Sequence, residues 1–171
     1  MNVPTLQSEP WLRGTLNEVP AVPRAVLHAL QLAKEDLHRW CAHLSSAQLN
    51  AVHANLPSVG FHLRHIARSL DRLLSYAEGK PLTTEQIGAL QSESTADAVA
   101  IEVFAELDAA LADAAERIRA FSIAELEQPR TVGKRQLPTS VGGLLVHVAD
   151  HTQRHVGQAI TTAKLVTATW K

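Results

Sequence analysis

The chain has 171 residues, with 16 Lys and Arg against 17 Asp and Glu for a formal net charge of −1; this suits one domain with its own core and supplies no basic field for nucleic acid or an anionic membrane. Hydrophobic residues make up 46% but aromatic residues only 4%, a balance rich in Ala and Leu that favours packed helices over a β-sandwich. The lone Cys41 excludes an internal disulfide, no basic-then-apolar leader follows Met1, and no apolar run approaches the roughly 20 residues of a membrane span, so a cytoplasmic protein away from the membrane is expected.

Residues 1–20 form a leader without periodicity, expected to be extended, with Trp11 of EPWLRGTL resting on the domain surface or on a second copy. From 21 to 44, Val26, Leu30, Ala33, Leu37, Trp40 or Cys41, and Leu44 recur at steps of three and four, one face of a first long helix. After Asn55-Leu56-Pro57, Ser58 is placed to cap a second helix with the stripe Val59, Leu63, Ile66, Leu70, Leu73 and Ala77. Gly79 and Pro81 end it. Residues 79–94 are rich in turn formers, with one short helix near Glu85 to Leu90. Ser94 with Asp97 reads as a capping box opening a third helix. Its stripe is Ile101, Phe104, Asp108, Leu111, Ala115 and Ile118, with Leu107 ready to take the seam beside the polar Asp108. A polar connector holding Pro129, Gly133 and Pro138 leads to Ser140, the cap of a fourth helix that continues to about Val166.

Four amphipathic helices must bury their stripes against one another, which predicts an all-α four-helix bundle forming a single domain over 1–171. SVGFHLRHI at 58–66 and SVGGLLVHV at 140–148 share Ser, Val, Gly and His at equal offsets, consistent with a duplicated helix pair or with coincidence in an Ala- and Leu-rich chain.

Residues 147–158 read HVADHTQRHVGQ, three histidines at four-residue steps. With His151 at zero on a helical wheel, His155 falls near +40° and His147 near −40°, while the apolar arc runs from about +20° to about +120°. His155 is inside the arc, His151 on its margin and His147 outside. A single helical histidine is most often a polar surface or hydrogen-bonded core residue. Two inward-facing imidazoles one turn apart are costly to bury unless something satisfies both, and such a pair can close on one metal ion. A third ligand must come from a facing helix, where His62 and His65 are available; burial alone prefers His62, and the wheel does not settle the choice. His28, His38, His43 and His53 lack the paired spacing and read as surface or helix-end residues.

SVGFHLRHI followed some eighty residues later by HVADHTQRHVGQ resembles the DinB/YfiT-like superfamily of bacterial metal-binding four-helix bundles, over nearly the whole chain. In that family a helix-two histidine after a Ser-x-Gly start joins an HxxxH pair near a terminal Gly-Gln. The resemblance therefore implies His65, His151 and His155 as ligands and overrules the wheel at His62; His62, His147 and Gln158 stay as secondary candidates from their positions on the helices. Many members carry a further histidine just before the last ligand, where this chain has Arg154.

Two functions from different classes follow. The first is a metal-dependent enzyme, in which three neutral imidazoles leave the ion's charge available to activate water or a thiol. The ion would be zinc or nickel, or else iron, because imidazole suits all of them. The resemblance adds a thiol-dependent S-transferase or a hydrolase as the reaction, with a small-molecule substrate and a low-molecular-weight thiol as cosubstrate. The second is a non-catalytic, stress-associated protein binding a metal or a small molecule. Homodimerisation fits either, and no nucleic-acid or membrane partner is expected. No fourth Cys or acidic ligand has suitable spacing, Asp71 and Asp150 read as solvated charges, and Gln158 reads more readily as a surface amide than as a substrate contact. Substrate contacts are expected from loops 45–57 and 122–139.

Overall fold

Four long helices carry the fold: α2 (Ala21–Cys41), α4 (Val59–Ala77), α6 (Ala100–Arg119) and α7 (Val141–Thr169). The computed structural model describes residues 8–14, 16–94 and 97–170. The segment following Met1 and part of the leader lie outside them. Helix α7 packs between α2 and α4, and α6 closes the ring from the other side by contacting both. Three short helices decorate this bundle: α1 (Pro10–Arg13), α3 (Ser46–Asn50) and α5 (Thr84–Gln91).

The stripes meet as their periods require. Val26, Leu30, Ala33, Leu37 and Cys41 of α2 are buried against Leu63, Ile66, Leu70 and Leu74 of α4 and Leu144, Leu145 and Val148 of α7 in one continuous core. Ser58 and Ser140 cap as expected, their hydroxyls accepting from the backbone N–H of Phe61 and of Gly143 at 3.1 Å each. Gly79, with φ +75°, supplies the left-handed residue that ends α4, and Lys80 N–H donates back to the Ser75 carbonyl at 2.9 Å.

Three local expectations are corrected. The leader is not extended throughout, since Pro10 opens the helix α1, and Arg13 ties it to Glu35 of α2 at 2.7 Å. Helix α6 does not begin at Ser94. It starts at Ala100, and its seam is Val103, Leu107, Leu111, Ala114 and Ile118, leaving Ile101 78% exposed. Asp108 faces α2 instead, where it accepts from His38 Nε2 at 2.9 Å and from Lys34 at 3.2 Å, so His38 is an interhelical partner rather than a plain surface group. The polar connector holds a small antiparallel hairpin, β1 (Pro129–Val132) with β2 (Leu137–Ser140). Gly133 at φ +70° and Gln136 at +49° turn it. Arg130 of β1 anchors the hairpin on the Ala77 carbonyl at 2.7 Å.

Arginines tie α5 and α6 to α4. Arg117 of α6 donates to Glu78 at 2.6 Å and to Asp71 at 2.8 Å, and Gln86 of α5 donates to the other Asp71 oxygen at 2.7 Å. Asp71, half of whose side chain is exposed, is thus also an acceptor that joins α4 to α5 and α6. Arg68 donates to Glu106 at 2.7 Å and reaches the Ala89 carbonyl at 2.9 Å and Ser92 Oγ at 3.0 Å. These bonds fix the turn that follows α5. No helix among the described residues is long and apolar enough to cross a membrane.

Candidate metal centre

Where α4 meets α7, four histidines gather at one level of a largely apolar contact: His62 and His65 from α4, and His151 and His155 from α7. His65 Nε2 lies 3.0 Å from His151 Nε2. The His155 ring centroid is 4.4 Å from that of His65 and 4.6 Å from that of His151. One ring nitrogen from each of the three can be chosen so that all lie within 4.8 Å of one another. Nitrogens sharing an ion at ~2.0–2.1 Å sit roughly 3–3.4 Å apart, so the spacing of the first pair has the scale of a coordination edge.

The secondary candidates separate. His62 is the most buried of the four, 2% exposed, with Nδ1 3.1 Å from His155 Nδ1, and it lies outside the convergent group of three. The wheel's preference for it correctly located burial, not convergence. His147 is exposed, faces Asp150 at 3.9 Å and packs its ring against that of His151 with centroids 5.4 Å apart, but it lies outside the convergent group of three. Gln158 is exposed on the wall of the neighbouring cavity. Asp150 is held by Arg154 one turn further on at 2.6 Å.

Burial and mutual repulsion keep these imidazoles neutral. The pKa values of His62, His151 and His155 fall from 6.5 to about 4, chiefly because burial penalises the charged ring and also because neighbouring histidines disfavour a second charge. Neutral imidazole is the form that offers a lone pair to a cation. The group could thus hold a divalent transition metal: burial keeps His151 and His155 neutral, and the closest pair, His65 and His151, has the spacing of a coordination edge.

One residue at the site escapes sequence reasoning. Glu93, in the turn after α5, is 3% exposed, and its Oε2 accepts from His65 Nδ1 at 2.6 Å while Oε1 accepts from Arg72 at 2.7 Å. Burial alone would raise its pKa, but the bonds from His65 and Arg72 hold the carboxyl below the usual carboxylate range. An acidic residue is therefore present at the cluster, placed behind His65. Neither period nor spacing marks it, because it reaches α4 only through the tertiary docking of α5.

A cavity of about 650 Å³ opens beside His62 and His155. Leu56, Pro57 and Phe61 form its apolar wall, and Arg154, Gln158 and Thr161 the opposite rim. Leu56 and Pro57 of the 45–57 segment belong to this lining, and no residue of 122–139 does. Arg154, standing where the family pattern often has histidine, belongs to the rim.

A family model described as the DinB superfamily matches residues 29–159. The matched stretch includes all four histidines of the cluster and Glu93. No curated protein matches the chain.

Proposed function

The chain belongs to the DinB superfamily, and from that membership together with the three converging imidazoles we propose that it is a metal-dependent enzyme whose divalent ion is held by His65, His151 and His155. The observation that carries this reading is the grouping of three imidazole nitrogens from two helices within 4.8 Å of one another, beside a cavity. Three protein ligands leave coordination positions for other molecules, as catalytic sites do and closed four-ligand structural sites do not. A bound ion of zinc, nickel or iron would act as a Lewis acid that activates water or a thiol as nucleophile.

The chain's own residues supply the remainder. Leu56, Pro57 and Phe61 exclude water from one side of the cavity and seat an apolar portion of a small substrate. Arg154 and Gln158 offer hydrogen-bond donors at the opposite rim. Burial keeps His151 and His155 unprotonated at neutral pH, so no proton competes for their lone pairs. Transfer of a low-molecular-weight thiol to an electrophile fits this arrangement, and hydrolysis is the alternative with the same parts.

The test incubates zinc- and nickel-loaded protein with glutathione, bacillithiol or mycothiol plus an electrophile panel, and separately with ester and amide panels. Metal-dependent turnover that disappears in His155→Ala supports the reading. Absence of turnover in every panel, together with a melting temperature unmoved by any thiol, refutes the enzyme assignment.

A further inference from the structure

We infer that Glu93 is a positioning residue of the site, fixing His65 in the tautomer that turns its Nε2 lone pair toward His151 and His155. The inference rests on the metal-binding reading above but makes a claim about this chain that can be tested without an ion.

The argument begins with burial. A carboxylate taken out of water persists only where its oxygens are well partnered. Glu93 has a partner on each oxygen, and both partners project from α4: His65 Nδ1 on Oε2 at 2.6 Å and Arg72 Nη1 on Oε1 at 2.7 Å. Arg72 is itself steadied by Ser69 Oγ at 3.2 Å. His65 and Arg72 are two turns apart on one helical face, so a single side chain arriving from outside α4 can span them. Arg68 provides that arrival by binding the Ala89 carbonyl and Ser92, directly before Glu93.

An ionised carboxylate only accepts hydrogen bonds. The proton between Glu93 and His65 therefore resides on Nδ1, and a ring that lends its Nε2 lone pair to a cation carries no second one. Nε2 is left as the acceptor, and it is Nε2 that lies 3.0 Å from His151 Nε2. Phe61, stacked on the His65 ring with centroids 5.4 Å apart, limits rotation out of this plane. Carboxylate partners behind ligating histidines set ring orientation and raise ligand basicity, and Glu93 meets that geometry here.

The substitution Glu93→Gln keeps the shape but leaves one acceptor end for two donors, which separates positioning from space filling. In metal-free wild type, imidazole ¹⁵N NMR should find His65 with its proton on Nδ1. Glu93→Gln should lower that population and weaken zinc binding, measured by chelator competition, on the order of tenfold. A thermal melt checks that the variant is folded. Wild-type His65 carrying its proton on Nε2 overturns the inference, as does an unchanged tautomer and zinc affinity in folded Glu93→Gln. Nδ1 protonation in a wild type that takes up no zinc or nickel supports the positioning role while overturning the metal reading.

Discussion

The Nδ1 atoms of His62 and His155 lie 3.1 Å apart, so one of these rings donates to the other across the α4–α7 contact. His62 is 2% exposed, and truncating it would leave both a cavity and a ring nitrogen of His155 without that partner. His62→Ala is expected to cost ~2–4 kcal/mol of stability and to weaken zinc binding several-fold, less than loss of a ligand would. Denaturant melts and chelator competition on the same samples check this; a larger affinity loss than in His151→Ala would make His62 a ligand.

His151 should behave differently, since it belongs to the convergent group and is only half-buried. Wild-type protein is expected to carry near one equivalent of transition metal, and His151→Ala far less, with little change in the stability of the metal-free chain. Elemental analysis of both, prepared in parallel, measures it. Equal metal content would remove the site assignment.

The depressed histidines give stability a direction with pH. In the unfolded chain His62, His151 and His155 take up protons near 6.5, whereas in the fold they resist until about 4. Between those values the unfolded state holds more protons, so stability is full above about 6.5 and falls as the pH drops toward about 4. Urea midpoints of the metal-free protein should be flat from pH 7 to 8 and decline steadily from 6.5 to 4.5. The decline should lessen in His62→Ala relative to that variant's own value at pH 7. An equal midpoint at pH 7 and pH 5 would contradict the burial assigned to these rings.

The four long helices were legible because their stripes run for many turns and because Ser58 and Ser140 announce two starts. The start of α6 was not, and the reason is physical. Ser94 and Asp97 mimic a local cap, but the α6 entrance is satisfied from α3: Ser46 Oγ accepts from Ala100 N–H at 3.0 Å, and Asn50 pairs with the Ala98 backbone at 2.8 and 3.2 Å. A cap delivered across the fold leaves no mark at the helix it serves. The site divides in the same way. His151 and His155 are visible as a same-helix pair one turn apart, while the choice between His62 and His65 depends on how α4 is rotated against α7. Glu93 depends on the docking of α5, which Arg68 and Gln86 of different elements bring about.

Gly60 offers a test of how the site is seated on its neighbours. It lies within α4, two residues before His62 and five before His65, and a Cβ there would meet Leu49 Cδ2 at 2.5 Å and the Leu49 carbonyl at 3.3 Å. Leu49 is fully buried, so its side chain has little room to swing away, and the backbone of α3 would have to move as well. Alanine elsewhere in a helix normally improves stability over glycine by roughly 0.5–1 kcal/mol; here the overlap should reverse the sign, with Gly60→Ala costing ~1–3 kcal/mol. Because α3 also caps α6 through Ser46 and Asn50, the displacement should reach the α6 entrance. Hydrogen exchange at Ala98 and Ala100, measured beside the urea midpoint, should rise in the variant. A Gly60→Ala protein more stable than wild type would show that α3 and α4 do not approach this closely.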